Sequence, residues 1–159
     1  METVQGSNDF PMLNEYLSFI DRYVMGDLER IQHQSCFATI LTVFACVDGL
    51  GGLTQPDAKA GNTQRFGQYI EEFFPDAYRT NKKLLWDLRN SLAHNALNVA
   101  AFVSYAPASA EYHLVRSRSG ETLIYTPYLV RDFGQSLEKL VGVHGLSVCC
   151  HTRTNGGFG

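Results

Sequence analysis

The chain has 159 residues, of which 45% are hydrophobic, 12% aromatic and 18% charged. This composition argues against disorder over most of the chain and is sufficient for the core of one domain. The net charge of -3 at pH 7 and the pI of about 5.9 exclude binding of nucleic acid through overall charge, so any such contact must come from a local cluster.

The N-terminal residues METVQGSNDF lack the basic segment followed by an apolar run that marks a signal peptide. The most apolar segment, CFATILTVFACVDGLGGL, is interrupted by Thr, Asp48 and a glycine cluster, and it is too short for a membrane span. The sequence therefore predicts a cytoplasmic protein that does not enter a membrane.

Apolar residues spaced three and four apart predict four helices, over 8–31, 34–47, about 65–75 and about 76–95. Gly26 is a possible kink in the first. The second is apolar on nearly every side, which is typical of the most buried helix of a bundle. The glycines of Asp48–Gly52 are expected to end it. After the fourth helix, ALNVAAF fits either a continued helix or an extended segment.

Residues that favour β structure flank Ser119–Gly120 and predict a β-hairpin over about 111–126. Pro127 is expected to open a last helix over about 127–142, and the Gly-rich residues 143–159 are expected to form a flexible tail. The predicted fold class is mainly α: an up-and-down helical bundle with a small β-hairpin near the C-terminus, in one domain over 1–142. Strands and helices do not alternate, which argues against a parallel-sheet enzyme.

The cysteines predict no metal site. Cys36 and Cys46 lie in an apolar segment and are expected to be small core residues. Cys149, Cys150 and His151 are consecutive, so they cannot easily wrap one ion, and no second cluster with zinc spacing exists. We therefore expect neither a metal nor another cofactor.

The segment LLWDLRNSLAHNALN, residues 84–98, combines an apolar helix face with a polar side. On a helical wheel of this segment, five residues share the apolar face: Leu85, Leu88, Leu92, Ala96 and Val99. Asn90 and His94 lie together on the opposite side, flanked by Asp87 and Ser91. Arg89 lies about 140° from His94, nearer the edge of the apolar face. A contact between Arg89 and His94 within one chain therefore cannot be assumed.

The string RNSLAH, at the end of an apolar helix, resembles the motif of the HEPN superfamily, in which an Arg and a following polar residue precede a His. Arg89, Asn90 and His94 match these three positions. The order of helices over about 8–95 also resembles a HEPN domain. The hairpin and last helix are similar to an elaboration of some bacterial HEPN-like proteins.

The resemblance implies a metal-independent endoribonuclease that acts as a homodimer, with the two motif helices facing each other. Imidazole titrates near neutral pH, so the implied role of His94 is to move the proton of the RNA 2′-OH or of the leaving oxygen. Arg89 would hold the phosphate, and Asn90 would orient His94 or the phosphate. The implied biology is a toxin or phage-defence protein with an antitoxin or nucleotidyltransferase partner.

Two alternatives remain open. A HEPN-like domain can be a non-catalytic interaction or nucleotide-binding module, and the polar side of the helix can be an ordinary solvated face of an unrelated bundle. Asp87 could support His94 or repel RNA. Glu71 and Glu72 are weak candidates for an acid/base pair, because adjacent helical residues do not face each other. The remaining histidines are expected to be structural or exposed: His33, His113, His144 and His151.

Overall fold

The computed structural model describes residues 11–55, 59–94, 101–106 and 109–146. Its regular elements, in chain order, are α1 Pro11–Phe19, α2 Met25–Ile31, α3 Cys36–Thr54, α4 Asn62–Phe73, α5 Asp76–His94, β1 Ala101–Ser104, β2 Thr122–Tyr125 and α6 Thr126–His144. The predicted mainly α class is confirmed. The helices surround a single apolar core, to which every one of them contributes buried side chains.

The first helical region is continuous, because a π-helical segment, Ile20–Val24, joins α1 to α2. In this wider turn the N–H of Met25 donates to the carbonyl oxygen of Ile20. The irregularity lies one turn before Gly26, where the sequence suggested a kink, and Gly26 itself lies within α2. The side chains that this region buries are Leu13, Leu17, Ile20 and Leu28.

The third helix, α3, is the centre of the bundle. The Ser35 hydroxyl caps its start by accepting a hydrogen bond from the N–H of Ala38 at 3.2 Å. It packs against α1, α2, α4, α5 and α6. By length and composition α3 also suffices to cross a membrane, a test that the core helix of a soluble protein passes equally well.

The prediction that the glycines of Asp48–Gly52 end this helix is wrong, because α3 continues to Thr54. A Cβ atom on Gly49 would lie 2.5 Å from the hydroxyl oxygen of Tyr16. A Cβ atom on Gly51 would lie 2.7 Å from the carbonyl oxygen of Arg65. These two glycines therefore allow α1 and α4 to approach the backbone of α3 closely.

Replacing Gly51 tests this close approach. Gly51→Ala should lower the free energy of unfolding by about 1–3 kcal/mol, because the methyl group meets main-chain atoms of Arg65 that cannot move without shifting α4. Gly52→Ala is the matched control, since nothing lies within 4 Å of its Cβ position. It should stabilise the helix by up to about 1 kcal/mol. Urea unfolding measures both, and equal effects would contradict the packing argument.

The helices α4 and α5 meet at Pro75, which ends the first of them. Phe66 of α4 packs edge-on against Phe44 of α3, with ring centroids 5.6 Å apart. The wheel correctly predicted the buried leucines of α5, which are Leu85, Leu88 and Leu92. Ala96 and Val99, assigned to the same face, lie outside the described residues.

The predicted β-hairpin over 111–126 is wrong, because β2 takes a different strand as its partner. It pairs in parallel with β1, in a register that places Ala101 opposite Thr122 and Ser104 opposite Tyr125. The expected antiparallel pairing is reduced to one bridge, between Arg116 and Thr122, and three backbone hydrogen bonds that join residues 114–117 to residues 121–123. The end of the ambiguous segment ALNVAAF is therefore extended, while residues 95–100 lie outside the described residues.

The reason for the missing hairpin strand lies just before that bridge. A 3-10 turn at Ala110–Tyr112 and the left-handed backbone of Leu114, with φ 62°, interrupt the extended conformation. They turn His113 and Leu114 into the core, where both side chains are buried. The predicted turn does form, since Gly120 has φ 98° and its N–H donates to the carbonyl of Ser117.

The last helix, α6, is longer than the predicted 127–142. Gly145 caps it in the left-handed conformation, with φ 60°, and donates its N–H to the carbonyl of Val141. Val143 and His144, which the sequence assigned to a tail, therefore belong to α6. The rest of that tail, from residue 147 on, lies outside the described residues.

Candidate functional site

The three motif residues occupy the last two turns of α5. The buried leucines of this helix fix its rotation and turn the opposite side outward. Arg89 and Asn90 are half-buried, whereas His94, the last residue of α5, is exposed. Within the described residues, no hydrogen bond or ion pair joins His94 to Arg89.

Arg89 extends toward α3. Its Nε donates to Oδ2 of Asp48 at 2.7 Å, and its Nη2 lies 2.5 Å from the same oxygen. The guanidinium also lies over the ring of Trp86, 5.2 Å from the ring centroid. The side chains of Arg89 and Asp48 are 27% and 21% exposed, so water screens their attraction only in part. The guanidinium is thus held on two sides.

Asn90 contacts Arg89. Its Oδ1 accepts a hydrogen bond from Nη1 of Arg89 at 2.9 Å. Asn90 was expected to orient His94 or the phosphate. Among the described residues no hydrogen bond joins Asn90 to His94, so nothing supports the first of these roles. The contact places Asn90 as a third support of the guanidinium, after Asp48 and Trp86.

Asp48 is the site residue that sequence reasoning missed. Burial raises the pKa of its carboxyl, while the hydrogen bond and the charge of Arg89 act in the opposite direction. It is the only charged residue in α3. A lone carboxylate in an apolar helix needs a partner, and this signal could have identified the pair. The glycines beside it instead suggested a helix end.

The two residues expected to support the motif are placed differently. The Asp87 carboxylate lies 2.6 Å from Nζ of Lys83, one turn earlier on the exposed side of α5. Ser91 is half-buried. Neither has a hydrogen bond to His94 within the part of the chain that the structure describes. The structure therefore brings Arg89, Asn90 and Asp48 together, and it places His94 separately at the exposed end of the helix.

The other candidate residues form no metal cluster within the part of the chain that the structure describes. Over residues 11–55, 59–94, 101–106 and 109–146, no group of three His, Cys, Asp or Glu side chains is placed to hold a metal. Burial raises the pKa of the Cys46 thiol to about 11, which fits its predicted place in the core. Glu71 pairs with Lys82. Cys149, Cys150 and His151 lie outside the described residues.

Comparison with known proteins adds no identity: no family model, curated protein or solved structure matches the chain. Function is therefore inferred from the chemistry of the motif residues and from the surfaces beside them.

Proposed function

We propose that the protein is a HEPN-like endoribonuclease that cleaves RNA without a metal, at a site shared by two copies of the chain. The observation that carries this proposal is the arrangement at the end of α5. A guanidinium is held by Asp48, Asn90 and Trp86, and an imidazole is exposed five residues further along the same helix. These are the two groups that such a reaction requires.

The reaction proceeds within the RNA strand. A neutral His94 imidazole takes the proton of the 2′-OH, and the 2′ oxygen attacks the adjacent phosphorus. The bond from phosphorus to the 5′ oxygen breaks, and a protonated imidazole gives that oxygen its proton. The products are a 2′,3′-cyclic phosphate and a 5′-OH end. One imidazole serves first as the base and then, protonated, as the acid. A dimer carries two such imidazoles, one for each of two equivalent sites.

The guanidinium stabilises charge on the phosphate. Asp48 occupies Nε and one side of Nη2, and Asn90 occupies one side of Nη1. Each Nη atom carries a second hydrogen, so Arg89 keeps two donors for phosphate oxygens without leaving its partners. A group fixed in advance loses little freedom when charge develops in the transition state.

A symmetric dimer explains why Arg89 and His94 are apart in one chain. Facing two copies of α5 brings two of each residue to one cleft, so that Arg89 of each copy can lie near His94 of the other. A cytoplasmic role as a toxin or in phage defence, with a neutralising antitoxin or nucleotidyltransferase partner, belongs to the same proposal.

The test uses purified protein, EDTA and two substrates of the same sequence, one RNA and one DNA. We expect cleavage of the RNA to a 2′,3′-cyclic phosphate and none of the DNA, which lacks the attacking hydroxyl. Absence of RNA cleavage, cleavage of the DNA, or equal cleavage by His94→Ala would each overturn the proposal.

A second candidate is a non-catalytic HEPN-like interaction or nucleotide-binding module. The observation in its favour is the ion pair between Arg89 and Asp48, which offsets the charge of the guanidinium within one chain. This candidate expects RNA or nucleotide binding without any product in the same assay.

A further inference from the structure

A cavity of about 360 Å³ lies between α4 and α5, on the side of α5 that carries the motif. This volume falls within the range of small-molecule binding sites. Its walls include Gly67, Gln68 and Glu71 of α4 and Lys82, Lys83 and Trp86 of α5. On the helical wheel Lys83, Asn90 and His94 lie within about 40° of one another. The cavity and the motif therefore open on one face of the helix.

Trp86 connects the cavity to the motif. Its ring packs against Phe66, with centroids 5.4 Å apart, and lines the cavity. The Arg89 guanidinium lies 5.2 Å from the centroid of the same ring. A planar ligand in contact with Trp86 is consequently next to the group that we propose to hold the scissile phosphate.

The polar groups of the cavity indicate what such a ligand carries. Oε1 of Gln68 is buried and has no hydrogen-bond partner within the described residues. Buried carbonyl oxygens are nearly always paired, and this one meets a ligand in the cavity when the Gln68 amide turns toward it. Lys82 pairs with Glu71, and Lys83 pairs with Asp87 at 2.6 Å. Both pairs are partly exposed, and such pairs exchange partners at little cost.

An aromatic ring, the amide of Gln68 at the wall and two lysines match a nucleotide. The base has a flat face for Trp86 and N–H donors for Gln68, and its phosphate suits Lys83. Glu71 at the wall adds a second acceptor for base N–H groups. A base can enter only when it is unpaired, because pairing and stacking in a duplex hide its edge and its face.

We propose that this cavity binds one unpaired base of the RNA substrate, stacked on Trp86 beside the cleavage site. The inference rests on the proposed ribonuclease function and adds its substrate class, which is single-stranded RNA. The base position then fixes which phosphate reaches Arg89.

Trp86 is the only tryptophan in the chain, so its fluorescence reports on the cavity directly. The probes are a single-stranded oligoribonucleotide with 2′-O-methyl groups that block cleavage, the same strand in a duplex, and free nucleoside monophosphates. We expect saturable quenching by the single strand and at least about tenfold weaker binding of the duplex. Equal affinity for strand and duplex, or tightest binding of a free nucleotide, overturns the inference.

Gly67→Leu is the variant that separates the cavity from the fold. Nothing lies within 4 Å of the Cβ position of Gly67, and leucine is the better helix former in the middle of α4. The variant should fold with unchanged or raised melting temperature and bind the single strand about tenfold or more weakly. Gly26→Leu is the matched control, since Gly26 is also helical with nothing within 4 Å and does not line the cavity.

Cleavage kinetics distinguish the two proposals. If both are correct, Gly67→Leu raises the KM for single-stranded RNA and keeps kcat, while His94→Ala keeps binding and loses cleavage. Binding without cleavage by the wild type overturns the ribonuclease function alone. Wild-type binding and KM in Gly67→Leu overturn the base site alone.

Discussion

A one-to-one mixture of Arg89→Ala and His94→Ala should recover RNA cleavage that neither variant shows alone. Each single variant is expected to lose about 10²–10³ in rate, the usual cost of removing a proton-transfer group or a charge-stabilising donor. The two side chains lie about 140° apart on α5, and Asp48 holds Arg89 toward α3. We therefore expect Arg89 of one copy to act with His94 of the other.

The size of the recovery follows from statistics. Half of the dimers in a random mixture contain both variants, and each of these has one intact site of two, so the rate should approach about a quarter of the wild-type rate. Initial rates in EDTA at constant total protein measure it, with mixed dimers verified by native mass spectrometry. Arg30→Ala, which removes an exposed ion pair on α2, is the control variant and should cleave RNA at the wild-type rate. Mixed dimers without recovered cleavage contradict a shared site.

Lowering the pH from 6.5 to 4 should cost the folded protein about 3 kcal/mol of stability through His113. Burial lowers the pKa of this imidazole from 6.5 to about 4, although the charge of Asp132 acts in the opposite direction. Between these two pH values the unfolded chain binds a proton and the folded chain does not. The contribution is therefore fully present above pH 6.5 and is lost as the pH falls toward 4.

The hydrogen bonds of His113 also favour the neutral imidazole in the folded protein. Its Nδ1 accepts from the N–H of Tyr125 at 3.0 Å, and its Nε2 lies 2.9 Å from the hydroxyl of Tyr78. That hydroxyl donates to Oδ2 of Asp132 at 3.0 Å, inside the core. A proton on Nδ1 would place two N–H groups face to face at the junction of β2 and α6. The neutral ring is thus the form that holds this junction.

Urea unfolding from pH 7 to pH 4, at one protein concentration, measures the effect. In His113→Gln the amide can accept from Tyr125 and donate to Tyr78, but it does not titrate. This variant should lose about 3 kcal/mol less than the wild type over the same interval. Carboxylates elsewhere contribute equally to the pH dependence of both proteins. Parallel curves of unfolding free energy against pH would therefore argue against a role of His113.

Local patterns predicted most of the helices. The spacing of leucines placed α5 and its buried face correctly, and Pro127 marked the start of α6 to within one residue. The errors lie where distant segments decide the structure. The glycines of α3 suggested an end because Tyr16 and Arg65, which explain them, are far away in sequence. The partner of β2 was misassigned because Leu114 turns into the core.

In the candidate site, too, local patterns predicted positions on one helix but not the contacts between distant segments. The wheel predicted that Arg89 lies near the edge of the apolar face, and the structure places its guanidinium against α3. Its partner was not predicted, since Asp48 and Arg89 are 41 residues apart and no local pattern joins them. The exposure of His94 agrees with its place opposite the buried leucines. The cavity beside Trp86 has no sequence signal, because residues of two helices form it.

The glycines of α3 have a consequence for the order of folding. Each glycine costs a helix about 1 kcal/mol relative to alanine, so Gly49, Gly51 and Gly52 together weaken the second half of α3 by about 3 kcal/mol. We therefore expect this half to become helical only when α1 and α4 dock against it. Asp48 belongs to it, and Arg89 therefore gains its anchor late. A nascent chain carries the whole motif, but it has no fixed guanidinium until the bundle closes.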